Sequence, residues 1–393
     1  MREFVACLSG FGYDITILAE QAGARGSRDG SFRYFDLPGR AEKTSDNPAA
    51  ESGDERSRQA ELARFELNSS METFIQNLQA RSKFDLVYER YSLFSLAGQR
   101  LAKSRGLPFV LEVNAPLMEE AARYRRLIRK DLAELVEKTL FSEASHIIAV
   151  SDEVAEYIVR AAPKAAVTVV PNGVRVDKFI DSQAGETPET LRSTFNDKDF
   201  VVCFVGSLKP WHGVDILIDS FAGLPADGKP NGLLIVGGKG DLKNQLKQTC
   251  RERGLKNRVK FTGSVEHDDI PALLGRADVL VAPYPDLNDF YFSALKIFEY
   301  MAAGKAIVAS AIGQIEKILT HEHNALLTPP GDVNALRDAL TRLKNDAALR
   351  KRLGENARKE AREKHTWKHR MITVDAIFRD LIEAGQTRIE EKP

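Results

Sequence analysis

Cysteine is scarce in this chain: Cys7, Cys203 and Cys250 are the only three, and no pair of them has a metal-ligand spacing. Two of them lie in apolar runs of the kind that form buried core, so a reducing, cytoplasmic setting is expected, with peripheral contact at the inner face of a membrane left open. An excess of charge of either sign is also missing, because 56 Lys and Arg are cancelled by 56 Asp and Glu. No net field favours nucleic acid, and only a local basic patch could draw phosphates or membrane lipid. No apolar run approaches bilayer length, and the opening residues MREFVACLSGFGYDITILAE carry an acidic residue and no cleavage site of signal type, so secretion is not expected. There is no Gly-x-Ser-x-Gly elbow, no HExxH and no paired-cysteine site. Neither G-x-G-x-x-G nor the P-loop lysine pattern occurs, which argues against a dehydrogenase or a P-loop kinase.

What is present is length and alternation. With 393 residues, 43% hydrophobic and 28% charged, the chain reads as a soluble globular protein too long for one core, and two domains of roughly 150 to 200 residues are expected. Arg2 to Ser9 reads as helix, the glycines at 10 and 12 as its stop, and Tyr13 to Ala19 as strand. From Gln21 to Asp54 the composition turns to Gly, Ser, Asp and Arg around a strand-like Phe32 to Leu37, and a polar helix follows over about Arg56 to Arg81. Then the alternation becomes regular: strand Asp85 to Tyr88, helix Phe94 to Arg105, strand Pro108 to Val113, one charged helix from Leu117 to Phe141, strand His146 to Val150, helix Asp152 to Ala161, strand Ala166 to Val170. Pro171-Asn172-Gly173 breaks the pattern, and the domain boundary belongs near residues 172 to 190. A second series has strands Phe200 to Val205, Gly232 to Val236, Val259 to Phe261, Val279 to Ala282 and Ala306 to Ala309. Helices fill Val333 through Lys364, and a last one runs from Trp367 to about Ala384. The expected fold class is α/β, two doubly wound domains whose strand C-termini face a shared cleft.

The stretch DLNDFYFSALKIFEYMAAGKAIVAS, residues 286–310, is where the chemistry is expected. Ser293 reads as N-cap, Ala294 to Ala303 as helix with Leu295, Phe298, Met301 and Ala302 on one face, and Gly304 as the stop. Lys296 and Glu299 share the other face. A helix start offers unpaired N–H groups to an anion, Lys296 adds charge, and Glu299 can accept hydrogen bonds from paired hydroxyls, a combination suited to a nucleotide's phosphates and ribose. The alternative is an amphipathic helix with a solvated Lys–Glu pair. Gly206 to Gly213, GSLKPWHG, turns from the first strand of the second domain into a helix like a phosphate cradle, with Lys209 and His212 as positive or donor groups at its rim. Gly237-Gly238-Lys239-Gly240 and Thr262-Gly263-Ser264-Val265 end the next two strands, and glycines there would let a planar base lie against backbone. Each of the three turns also reads as an ordinary βα connection. Asp197-Lys198-Asp199 sits in a polar turn, and Glu266-His267-Asp268-Asp269 reads as the cap of a helix starting near Ile270, so no metal site is expected.

Together these residues resemble the family 4 retaining glycosyltransferases of GT-B fold, and the similarity spans nearly the whole chain. VLVAPYP and GQIEKILTHEHNALLTPPGDVNAL around the 286–310 stretch, VVPNGV at 169–174, FVGSLKPWHGVDILI and the helix after Trp367 carry it. The resemblance implies an acceptor-side domain over 1–172, a nucleotide-sugar domain over 173–366 and a helix over 367–393 returning to the first domain. It makes Glu299 the second glutamate of an E-x7-E motif, binding ribose, while the first falls on Tyr291. Backbone at Ser293, Ala294 and Leu295 would meet phosphates and sugar, Gly206, Gly237 and Gly238 would line the donor, and Val265 would meet the base. The usual Arg and Lys for the pyrophosphate fall at Ser207 and His212, so Lys209 and Lys296 are expected to replace that charge. Asn114 stands in LEVNAP where the family has a histidine near the sugar. Family members also begin with a strand and glycine loop before the helix that here starts at Met1, which suggests a shortened or mis-started chain. The implied activity is transfer of a hexose from a nucleotide-diphosphate sugar to a glycan or lipid-linked acceptor, without metal or other cofactor and without nucleic acid. A nucleotide-sugar epimerase, or a nucleotide-sugar-binding protein of weak activity, are the alternatives. The clustered Arg123, Arg125, Arg126, Arg129 and Lys130 could meet an anionic membrane or acceptor, or form a solvated helix face.

Overall fold

The computed structural model describes residues 2–20, 32–37, 53–79, 83–124, 126–181, 195–196, 199–225, 230–237 and 242–390. It divides into two compact units. The first holds Met1–Pro171, Tyr291–Ser293 and Arg370–Pro393, the second Asn172–Phe290 and Ala294–His369. Among the described residues no helix is long and apolar enough to cross a membrane.

The first unit contains α1 (Arg2–Ser9), β1 (Ile15–Glu20), β2 (Phe32–Leu37), α2 (Gly53–Gln79), β3 (Val87–Arg90), α3 (Ala97–Arg105), β4 (Phe109–Val113), α4 (Leu117–Tyr124), α5 (Lys130–Glu143), β5 (His146–Ala149), α6 (Asp152–Ala161) and β6 (Val167–Val169). β1 and β2 form a two-stranded sheet and β3-β4-β5-β6 a four-stranded one, all parallel. β4 is buried at all five positions, as expected of a short apolar run covered on both faces. Of the polar stretch from Gln21 to Asp54, only β2 and the start of α2 lie within the described residues.

Local polar contacts explain where the predicted elements shift. The helix expected from Phe94 starts at Ala97 because Phe94 takes a positive φ of 71°. Glu89 then accepts hydrogen bonds from Ser95 Oγ at 2.6 Å and the Gly98 amide at 3.1 Å, satisfying donors at the helix start. The single charged helix expected from Leu117 to Phe141 is two. Arg126 has φ 57°, and the amides of Ile128 and Arg129, just ahead of α5, donate to the two carboxylate oxygens of Glu61 on α2 at 3.0 and 2.7 Å. The basic side chains on this stretch are largely matched by acids: Arg126 pairs with Asp54 and Arg129 with Asp131, while Arg123 lies over the Tyr124 ring at 5.3 Å. Arg125 lies outside the described residues. Tyr91 and Tyr157 both donate to the buried carboxylate of Glu137, which fastens α5 and α6 to the sheet.

The last helix, α15 (Trp367–Glu390), groups with the first unit from Arg370 onward. Its Asp375 accepts from Tyr13 Oη at 2.8 Å, and Phe378 meets Tyr13 and Tyr88 edge-on.

The second unit contains α7 (Val176–Asp181), β7 (Phe200–Val205), α8 (Val214–Ala222), β8 (Asn231–Val236), α9 (Lys243–Glu252), β9 (Val259–Phe261), α10 (Ile270–Gly275), β10 (Val279–Ala282), α11 (Leu295–Ala303), β11 (Ala306–Ser310), α12 (Gln314–Ile318), β12 (Leu326–Thr328), α13 (Val333–Asn345) and α14 (Ala347–Lys364). Its sheet is parallel, in the order β12-β11-β10-β7-β8-β9. β12 escaped the sequence reading because it is a three-residue edge strand, too short to show a pattern, paired from Val308↔Leu326 to Ser310↔Thr328. Asp346 joins the last two helices: its amide bonds the Arg342 carbonyl and its carboxylate accepts from Leu349 N at 2.8 Å. Cys203 and Cys250 are buried as expected, and burial pushes the Cys250 thiol up to about 11.

Candidate functional site

The strand order of the second unit selects one place for a ligand. From β7 the chain builds outward through β8 and β9, then returns to lay β10 on the other side of β7. Such a reversal opens a crevice at the C-terminal ends of the two strands that flank it. The loops there are Gly206 to Gly213, after β7, and the Pro283-Tyr284 turn, after β10.

Glycine is required where these loops meet. Gly213 has φ 62°, and a Cβ on it would strike the Pro283 carbonyl oxygen. Gly213→Ala is therefore expected to cost at least about 2 kcal/mol of stability, from left-handed strain plus the clash. A urea titration matching wild type would contradict it. A Cβ on Gly237, at the end of β8, would strike the Gly206 carbonyl, so these two turns also close on one another. Gly238 lies outside the described residues.

Lys296 sits in the first turn of α11, and its ammonium is placed where a Cβ on Gly206 would come within 2.8 Å. Nζ lies 4.4 Å from the Phe204 ring centroid and 5.3 Å from that of Tyr284. It is buried and makes no hydrogen bond among the described residues. Aromatic faces attract a cation, but they do not replace the hydrogen bonds that water supplied. Burial accordingly pulls the Lys296 pKa down to about 7, with the Glu299 charge opposing the fall.

Glu299, one turn further along α11, is 7% exposed. Burial raises its pKa to about 7, against the pull of Lys296 and Lys178. His267 Nδ1, from the turn after β9, stands 3.9 Å from Glu299 Oε1, and Lys178 of α7 pairs with Asp268 on the same turn at 3.2 Å. The solvated Lys–Glu pair is thus replaced by two buried charges. The 266–269 segment, expected to cap a helix, is a short 3-10 turn without a side-chain cap bond, because its side chains turn toward Glu299 and Lys178 instead.

His212 differs from the rim cation or donor expected of it. Its Nδ1 lies 2.6 Å from the Ser207 carbonyl, so that nitrogen's proton is already used, and burial together with the Lys296 charge lowers its pKa to about 4. Lys209 is half-buried on the same loop with Nζ 5.9 Å from the Trp211 ring. Ser293 is not the cap of α11. The N-cap is Ala294, without a side-chain bond; the Ile297 amide closes on the Ala294 carbonyl at 2.9 Å, which leaves the amides of Leu295 and Lys296 to another partner. Leu295, expected on the buried face, is the first residue of α11 and is 40% exposed, whereas Ile297 to Ala303 are all buried. Val265 is half-buried in the turn after β9.

Three expected donor or catalytic residues belong to the first unit. Asn114 donates to Glu112 at 2.9 Å. Burial opposes ionisation of Glu112, but Arg90, Tyr88 and Asn114 outweigh it and hold the carboxyl below its usual range. Tyr291 and Ser293, placed with the nucleotide-sugar domain by sequence, group with the first unit: Ser151 Oγ donates to the Tyr291 carbonyl at 2.9 Å, and the Tyr291 side chain packs on the Val113–Tyr157 core. Sequence reasoning missed the roles of Phe204, Tyr284 and His267, whose only signal was position at the ends of strands or just beyond them, and of Lys178 on α7, which had no signal.

Two parallel α/β units, the second with a switch-point crevice that holds an ammonium without a hydrogen bond among the described residues and an uncapped helix start, define a protein of the paired Rossmann-like class. Residues 1–178 match the Glycosyltransferase Family 4 model and residues 188–360 the Glycosyl transferases group 1 model. The chain belongs to this glycosyltransferase family. A D-inositol 3-phosphate glycosyltransferase from Salinispora tropica is 26% identical over 331 residues, 80% of this chain and 67% of the relative. Among solved structures, sucrose-phosphate synthase from Thermosynechococcus elongatus is similar with a TM-score of 0.76 and 21% identity, over 98% of this chain and 92% of that one. HepE from Anabaena in complex with UDP-glucose has a TM-score of 0.63 and 23% identity, over 80% and 82% of the two chains. The fold is GT-B.

Proposed function

We propose that this glycosyltransferase moves a hexose from a nucleotide-diphosphate sugar to a glycan or lipid-linked acceptor, with retention at the anomeric carbon and no further cofactor. The setting we assign it is cytoplasmic, at most peripheral to a membrane. The observation that carries the reading is the Lys296 ammonium, buried at a switch-point crevice with no hydrogen-bond partner among the described residues. A buried cation of this kind calls for an anion, and the uncapped start of α11 adds the N–H groups of Leu295 and Lys296. As the glycosidic bond breaks, negative charge grows on the diphosphate, and donors fixed beforehand stabilise that charge more than the ground state. Lys296 and the α11 amides take this role, with Lys209 as a second cation at the loop. Glu299 accepts the ribose hydroxyls. Asn114 and Tyr291 are assigned to the donor sugar, the backbone of Ser293, Ala294 and Leu295 to the phosphates and sugar, Gly206, Ser207, His212, Gly237 and Gly238 to the donor, and Val265 to the base. The UDP-glucose complex of HepE supports a donor of this class.

The test is a thermal-shift panel of UDP, GDP and ADP with their hexose esters, followed by the anomeric configuration of the product by NMR. A ligand at 100 times its Kd adds about 2.7 kcal/mol of stability, enough to raise Tm by a few degrees. One nucleotide series should do so, and the product should keep the donor's configuration. No shift with any member would end the reading.

A further inference from the structure

His212 presents a chemistry that a phosphate does not need. A carbonyl oxygen only accepts, so the 2.6 Å contact from Nδ1 to the Ser207 carbonyl puts the ring proton on Nδ1, with Ser207 Oγ at 3.3 Å as a further neighbour. In the neutral ring, Nε2 is then a bare acceptor. It makes no hydrogen bond among the described residues.

The surroundings keep the ring neutral. Lys296 of α11 lies close enough for its positive charge to oppose an imidazolium, burial acts in the same direction, and the Ser207 carbonyl is the one contact that works against them. The rings of Phe204, Trp211 and Tyr284 have centroids 6.2, 6.2 and 6.0 Å from that of His212, and burial raises the Tyr284 phenol so that it too stays neutral. Lys209 lies on the same loop, Glu299 one turn beyond Lys296, and Asp215 in the first turn of the helix that follows. A lone pair facing phosphate oxygens is repelled by them, whereas a hydroxyl is attracted.

We propose that His212 reads a hydroxyl of the donor through Nε2, and that it is a specificity-determining residue rather than a phosphate clamp. This rests on the nucleotide-sugar reading above. Hydroxyls flank a donor diphosphate on both sides, on the ribose and on the transferred sugar, and either can donate to Nε2. Three substitutions separate the atoms involved. Asn in place of His keeps an N–H near the Nδ1 position for the Ser207 carbonyl and removes the Nε2 acceptor; Gln puts an amide oxygen near Nε2; Lys supplies the cation a clamp would need.

The experiment is calorimetric titration of wild type, His212→Asn, His212→Gln and His212→Lys with the nucleoside diphosphate that stabilises the wild type and with its hexose ester, at pH 6 and pH 8. His212→Asn is expected to weaken binding about three- to tenfold, the worth of one net hydrogen bond, by the same factor at both pH values, with His212→Gln recovering part of the loss. Loss with both ligands assigns the ribose hydroxyl, and loss with the hexose ester only assigns the sugar. Unchanged binding of both ligands by His212→Asn overturns the proposal. So does a wild-type advantage that grows as the pH falls, or full recovery by Lys with none by Gln, because either marks a cation. If no diphosphate binds the wild type at all, the nucleotide-sugar reading itself has failed.

Discussion

Replacing Lys296 by methionine is expected to abolish donor capture and, in the same molecule, to stabilise the ligand-free fold. The two effects have one cause. The ammonium is buried against Phe204, Tyr284 and Gly206 without a hydrogen bond, a state that costs free energy until an anion arrives. Methionine keeps the length of the chain, drops the charge and packs well on aromatic faces. Losing a desolvated charge partner should weaken the diphosphate roughly 100-fold or more. The sign of the stability change follows from linkage. In the folded state Lys296 has a pKa of about 7, below its ordinary 10.5, so the unfolded chain binds more protons between those values. Wild-type stability should therefore rise with pH from about 7 to 10.5, and the penalty should be fully present below 7. Lys296→Met removes it, with a gain on the order of 2 to 4 kcal/mol at pH 7 that shrinks toward pH 10. Guanidinium unfolding of both proteins at pH 7 and pH 9.5 measures this. A variant less stable than wild type at pH 7, or one that still holds the donor within a few-fold, would count against the assignment.

For Glu299→Gln, the expected outcome is a loss of transfer of roughly 100-fold together with a changed pH profile. The carboxylate can accept two hydroxyl hydrogens at once, whereas the amide presents one acceptor and one donor. In the free enzyme Glu299 must be ionised, with its pKa raised to about 7, and Lys296 must be charged, with its own pulled down to about 7. The kcat/KM profile of wild type should be a narrow bell centred near neutrality, rising on the acid side with Glu299 and falling on the alkaline side with Lys296. Because the two charges stabilise each other, the limbs belong to the pair rather than to either residue. Glu299→Gln should flatten the acid limb and keep an alkaline fall. An acid limb unchanged in the variant would mean that another group carries it.

The sequence exposed the strands and the spacing, but not the environment. Runs such as Phe200–Val205 and Val279–Ala282 are apolar at every position, and only a sheet covered on both faces uses such strands, so the α/β alternation could be read directly. Lys296 and Glu299 could be paired from their separation on one helix. Their burial could not, because nothing local to residues 294–303 says that Phe204 of β7 and Tyr284 of the turn after β10 close over the ammonium. His212 departs from its sequence reading for a related reason: burial and the Lys296 charge keep the ring neutral, and a backbone carbonyl five residues earlier fixes its proton on Nδ1. The break between α4 and α5 was invisible as well, since its cause is Glu61, far back in the chain.

That last contact decides where the charged stretch of the first unit turns. The amides of Ile128 and Arg129 have their acceptor 67 and 68 residues upstream, so the entry to α5 is a long-range feature despite its helical character. The composition of the stretch from Leu117 to Phe141 favours one uninterrupted helix, and nothing in it alone calls for the turn at Arg126. The turn between the two helices is therefore set by the docking of α2 and not by the residues of the turn themselves.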